Sequence, residues 1–138
     1  DFVAEELNVN ELVLLKGDGF HLDTFFTPAL NKDGYIVALI TCEKFLHPQS
    51  KKNLFDYADN NNIPIFNIPE SDALGTKTQT GKFSVNALPL PGVLFRPDYF
   101  SNPIIDEQLS ELGIKTKITP TSQFQLSGGS VHCVTNEL

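Results

Sequence analysis

The chain has 138 residues, 41% of them hydrophobic and 20% charged, with a net charge of −7. This mixture suits one packed domain of ordinary size and excludes a disordered chain. The acidic balance excludes a nucleic-acid binder, which needs a basic face, and suits a cationic substrate, which negative walls concentrate.

No apolar run approaches the roughly 18 residues that cross a bilayer, and the longest, Tyr35–Thr41, is the size of a strand. No basic segment leads into an apolar one, so no signal peptide is predicted and the expected location is cytoplasmic, away from membranes. Methionine is absent, so a processed product or a piece of a longer protein is expected. The two cysteines, Cys42 and Cys133, make no disulfide scaffold, and without CxxC or CxxH spacing no metal is expected. No cofactor is predicted.

In chain order, Leu12–Leu15 and Phe20–Phe26 read as strands around the Lys16–Gly19 turn, and Tyr35–Thr41 as a third, entered through Asn31–Gly34. Pro48 opens a helix to about Asn60 with Leu54, Phe55 and Ala58 as its apolar stripe. Ile63–Ile68 is a strand stopped by Pro69, and Glu70–Leu74 a helical turn. Leu74–Lys82 is a Gly/Thr-rich loop at the surface, with a lid as the alternative. The order then recurs. Phe83–Leu88 and Gly92–Phe95 are strands, Pro103 opens a helix closed by Gly113, Ile114–Ile118 is a strand, and Thr121–Leu126 is a short helix.

Spacing supports an internal repeat. Ile63 and Ile114 stand 51 residues apart, as do Pro69 and Pro120, and Ser71 and Ser122. Ser84-Val85-Asn86-Ala87 resembles Ser130-Val131-His132-Cys133 at an offset of 46. The unit is a ββαβ module of about 50 residues. Such α/β modules are expected around an axis, with equivalent strand ends converging on a centre. His132 and Cys133 then take the places of Asn86 and Ala87.

Cys133 follows the flexible pair Gly128-Gly129 and is the candidate nucleophile, whereas Cys42 ends an apolar run and reads as a buried thiol. His21 is the candidate base. On a strand, Asp23 would share the face of His21 and could hold a cationic group or orient the imidazole. His47 precedes Pro48 and reads as a surface or helix-start residue. His132, next to Cys133 on a strand, would point to the opposite face and serve packing or substrate support. Asp18 is accounted for by its turn. Lys16, Lys44, Lys51, Lys52 and Arg96 read as a solvated charge pattern.

Gly19-Phe20-His21-Leu22-Asp23-Thr24 resembles the His-x-Asp signature of the guanidine-modifying, or pentein, superfamily, and Gly128–Thr135 resembles its C-terminal cysteine signature. The resemblance implies an α/β propeller of ββαβ modules, of which this chain holds about half. It implies that Cys133 attacks a guanidinium carbon, that His21 moves protons, that Asp23 binds guanidinium N–H groups, and that Gly128 and Gly129 let backbone approach the substrate. The implied activity is guanidino-group hydrolysis on arginine or a close derivative. Amidino transfer to an amine acceptor, or a non-catalytic pentein-like binding or scaffold role, are the alternatives. A papain-like protease is disfavoured because its cysteine precedes its histidine. The family's full module set needs about twice this length, and none of Glu5, Glu6 or Glu11 falls in its earlier acidic motif. The residues 1–138 are therefore expected to be the C-terminal part of one catalytic domain, completed by a missing N-terminal half or a second chain.

Overall fold

The computed structural model describes residues 11–19 and 21–135, together with Glu6 and Val9. Phe20, at the start of a predicted strand, lies outside the described residues, as do Glu5 and the last three positions of the C-terminal stretch.

The first module is built on three strands. β1 (Phe26–Leu30) pairs antiparallel with β2 (Ile36–Thr41), which pairs parallel with β3 (Ile65–Asn67). The β1–β2 turn is local chemistry. Asn31 Oδ1 accepts the N–H groups of Asp33 and Tyr35, both at 3.0 Å, and Gly34 takes φ +85°. Helix α1 (Pro48–Asn61) makes the parallel crossover. Pro48 sits in its first turn, where a missing N–H costs nothing. Leu54 and Ala58 are buried at helical spacing, and Asn62 closes the helix in the left-handed region at φ 55°.

A small hairpin follows, of β4 (Gly75–Thr76) and β5 (Gln79–Thr80), within the segment predicted as a loop. The second module repeats the first. β6 (Leu88–Leu90) pairs antiparallel with β7 (Val93–Arg96), and β7 pairs parallel with β8 (Lys115–Ile118). Helix α2 (Pro103–Glu111) connects them. Asn102 Oδ1 accepts the Ile104 N–H at 3.2 Å as its N-cap, and Gly113 follows at φ +82°. The short helix α3 spans Ser122–Gln125. The predicted ββαβ order thus holds twice, in a mixed α/β fold of small sheets.

Leu39, Ile40, Leu54, Leu94 and Leu109 are all fully buried, in one core that joins both modules. Each such side chain contributes about 1.5–3 kcal/mol through removal of apolar surface from water. β1 and β6 are the outer strands of their sheets, and each carries a proline, Pro28 and Pro89. At an edge, the missing N–H costs no ladder bond.

Four expectations change. Leu12–Leu15 is not a strand; the segment runs irregularly to an isolated bridge between Gly17 and Leu46. His21 to Thr24 is not strand but an extended residue followed by a 3-10 turn, and β1 begins only at Phe26. Phe83–Ala87 is also not strand but a turn, entered with Phe83 at φ 56°, and of the predicted strand Phe83–Leu88 only Leu88 belongs to β6. Arg96 is not solvated. It is fully buried, its Nη2 donates to Asp106 Oδ1, and its guanidinium carbon lies 3.9 Å from the Phe100 ring centroid. Its Nε and Nη1 have no hydrogen-bond partner among the described residues. Burial pushes Arg96 down and Asp106 up, and each is opposed by the other's charge.

Candidate active site

Three turns converge in space. The first runs from His21 into the 3-10 turn Leu22–Thr24 that precedes β1. Thr24 closes it by bonding back to the His21 carbonyl through both its N–H, at 3.1 Å, and its hydroxyl. The second, Ser84–Ala87, precedes β6, with the Asn86 N–H donating to the Phe83 carbonyl at 2.9 Å. The third is a 3-10 turn over His132–Val134, where a strand was predicted. The Val134 N–H reaches back to the Ser130 carbonyl at 3.2 Å, and Ser130 Oγ is tied to Thr121 Oγ1 at 2.6 Å.

These turns bring Asp23, Asn86, His132 and Cys133 together across long stretches of sequence. Cys133 Sγ donates to Asp23 Oδ2 at 3.2 Å, and His132 Nδ1 meets the same oxygen at 2.9 Å. His132 therefore faces the thiol's own partner, not the opposite side as a strand would have required. Asn86 Nδ2 donates to Cys133 Sγ and to the Asp23 carbonyl, each at 3.2 Å. Asp23 Oδ1 is buried without a hydrogen-bond partner among the described residues. A buried carboxylate oxygen in that state is a strong acceptor awaiting a donor.

His21, Asp23 and His132 line one cavity of about 390 Å³ with the apolar side chains of Phe26, Pro28 and Ala87. Polar groups that converge on an apolar wall are the usual form of a small-molecule site. Cys133 is exposed, yet partial burial of its sulfur pushes the thiol up from its ordinary value. The Asp23 carboxylate adds to the rise, while a backbone hydrogen bond at Ser130 and the Asn86 amide oppose it. The net direction favours the thiol over the thiolate.

Gly128 takes φ +82°. Gly129 makes room for the nucleophile candidate, since a Cβ there would lie 3.1 Å from Cys133 Cβ and 3.5 Å from its Sγ. His47 stands at the entrance of α1, as predicted, with Nε2 at 2.9 Å from Asp18 Oδ1. Cys42 is buried, and burial raises its thiol. Sequence reasoning missed Asn86 as a site residue; the signal was the repeat itself, which sets Asn86 in register with His132.

No family model and no curated protein matches the sequence. Solved structures do match. Apo ArgZ, an arginine dihydrolase from the ornithine–ammonia cycle in cyanobacteria, is 22% identical with a TM-score of 0.73, over 99% of this chain and 20% of that one. The N-terminal domain of ArgZ bound to product gives 23% and 0.70, over 96% and 43%. SxtG, an amidinotransferase from Microseira wollei in the saxitoxin biosynthetic pathway, gives 14% and 0.57, over 96% and 36%. This chain spans less than half the length of each. Two ββαβ modules in the predicted order, the meeting of the two sequence signatures at one cavity and these likenesses agree: the chain has the fold of the guanidine-modifying, or pentein, enzymes.

Proposed function

We propose that residues 1–138 form the C-terminal part of a pentein-type catalytic domain, about half of an α/β propeller, that hydrolyses the guanidino group of arginine or a close derivative. The observation that carries this reading is the Asp23 carboxylate. One of its oxygens holds the Cys133 thiol at 3.2 Å, and the other is buried with no partner among the described residues. A guanidinium offers the charged, planar N–H donors that such a carboxylate accepts.

On binding, the guanidinium takes over Asp23 and neutralises the charge that holds the thiol protonated. Cys133 then passes its thiol proton to His21, its Sγ attacks the guanidinium carbon, and an S–C bond forms. The C–N bond to the leaving amine breaks as His21 supplies its proton. His21 next takes a proton from water, which adds to the S-bound amidinium carbon. The tetrahedral adduct collapses and releases the thiolate. Gly128 and Gly129 keep the backbone beside this carbon free of side chains. Segments outside this chain, or a second chain, complete the wall around the substrate.

SxtG, an amidinotransferase, favours a second reading in which an amine replaces water at the second step. The two share the covalent intermediate, and product analysis with and without an added amine separates them.

The test is arginine turnover by the intact protein, with mass spectrometry of the Cys133 peptide. Ammonia release and a trapped amidino adduct on Cys133 are expected, and Cys133→Ser should lower turnover at least a thousandfold. Undiminished turnover in that variant, or labelling of Cys133 by a haloamidine no faster than that of an exposed thiol, would falsify the reading.

A further inference from the structure

We propose that Asn86 is a positioning residue for Cys133: its buried amide fixes the sulfur beside Asp23 and stabilises the thiolate that attacks. This rests on the nucleophile reading above and adds a residue that neither sequence signature contains.

Asn86 is fully buried and uses its side-chain amide on both sides of the site. One Nδ2 proton goes to Cys133 Sγ and the other to the Asp23 carbonyl, both at 3.2 Å. Its Oδ1 accepts the Cys133 N–H at 3.4 Å, and its own carbonyl accepts the His132 N–H at 3.4 Å. The amide can face only one way. With O and N exchanged, an N–H would oppose the Cys133 N–H and an oxygen would oppose the Asp23 carbonyl. One side chain therefore sets the spacing between the turn that carries the carboxylate and the turn that carries the thiol.

The chemistry gives the contact a direction. A buried N–H aimed at sulfur favours the anion, because hydrogen bonds to charged acceptors are about twice as strong as neutral ones. The groups facing Cys133 are otherwise the Asp23 carboxylate and, through it, His132, with His21 on the cavity wall. Asp23 favours the protonated thiol. Asn86 is the counterweight, on the side of the sulfur away from solvent.

The repeat explains its origin. Asn86 and His132 occupy equivalent positions in Ser84–Ala87 and Ser130–Cys133. One copy of the turn presents the nucleophile, and the other presents the amide that grips it.

The test is Asn86→Asp in the intact protein, a change that keeps size and replaces a donor with an acceptor. Two readouts are taken. The first is the pH profile of iodoacetamide alkylation at Cys133, resolved from Cys42 by peptide mass spectrometry. The second is kcat and KM for arginine. The midpoint of alkylation should rise by about one pH unit, which is roughly tenfold less thiolate at neutral pH, and kcat should fall more than KM changes. An unchanged midpoint with unchanged kcat overturns the proposal. Should the variant fail to fold, the wild type carries the test. The Asn86 side-chain amide resonances should titrate with the Cys133 midpoint, and resonances that ignore it overturn the proposal equally. Cys133→Ser separates the two readings. Turnover retained there refutes the hydrolase mechanism, whereas the alkylation profile of Asn86→Asp judges Asn86 by itself.

Discussion

Asp23→Asn should make Cys133 more reactive towards an alkylating agent and less reactive towards a guanidine. The carboxylate oxygen stands 3.2 Å from the sulfur and accepts its proton. Two unit charges at that distance repel by about 5 kcal/mol at an effective dielectric of 20 and by about 1.3 kcal/mol in water. Cys133 is exposed, so screening places the real effect towards the lower figure. A repulsion of about 1.4 kcal/mol corresponds to one pKa unit. Removal of the charge should thus lower the alkylation midpoint by about one unit and speed labelling at neutral pH up to tenfold. Turnover should move the other way. Two charge-assisted bonds to the guanidinium, at about 1.5–3 kcal/mol each, correspond to a loss of at least a hundredfold in kcat/KM. The assay is iodoacetamide labelling from pH 6 to 10 beside ammonia release from arginine. A midpoint that stays or rises in Asp23→Asn refutes the electrostatic account of this site.

Gly129→Ala places a methyl about 3.1 Å from Cys133 Cβ, so that Cβ must give way by a few tenths of an ångström and carry the sulfur with it; kcat should fall about tenfold to a hundredfold with KM nearly constant, checked by steady-state kinetics beside a thermal melt that moves little. Arg96→Met should cost about 3–5 kcal/mol in urea unfolding, because it leaves the largely buried Asp106 carboxylate without its cation, and Arg96→Met with Asp106→Leu should recover most of that loss. Equal losses in the single and double variants would show that the pair itself holds the fold.

The parts of the fold legible in the sequence are those with local causes. Pro48 and Pro103 mark the helix starts, Asn62 and Gly113 stand where the helices stop, and the apolar spacing of Leu54 and Ala58 sets the buried face of α1. The repeat was legible because each module places its elements in the same order. The candidate site residues His21, Asp23 and Cys133 could be picked out from two short signatures, but their backbone could not. A strand places alternate residues on one face, and His21 to Asp23 fits that pattern. Thr24 instead bonds back to the His21 carbonyl and turns the chain before β1. His132 was assigned to the wrong face for the same reason, since a 3-10 turn swings consecutive side chains by far less than a strand does. Arg96 looked like an ordinary surface cation because the groups that enclose it, Phe100 and Asp106, come from the next helix and its approach. Asn86 has no chemistry of its own, and only the meeting of its turn with the other two gives it a role.

The two edge prolines have a consequence for how the cavity stays open. β1 and β6 pack beside one another where the modules meet, yet they belong to separate sheets. Two bare strand edges at such close quarters would tend to zip together, backbone to backbone, and flatten the modules into one continuous sheet. Pro28 and Pro89 each withhold a donor from that edge. The modules can then meet without merging into one sheet, tied by the Gly92 N–H to the Leu30 carbonyl at 2.9 Å, and the cavity beside this seam holds Phe26, Pro28, Ala87 and Pro89 on its wall. Residues with no part in the proposed chemistry thereby preserve the space proposed for it.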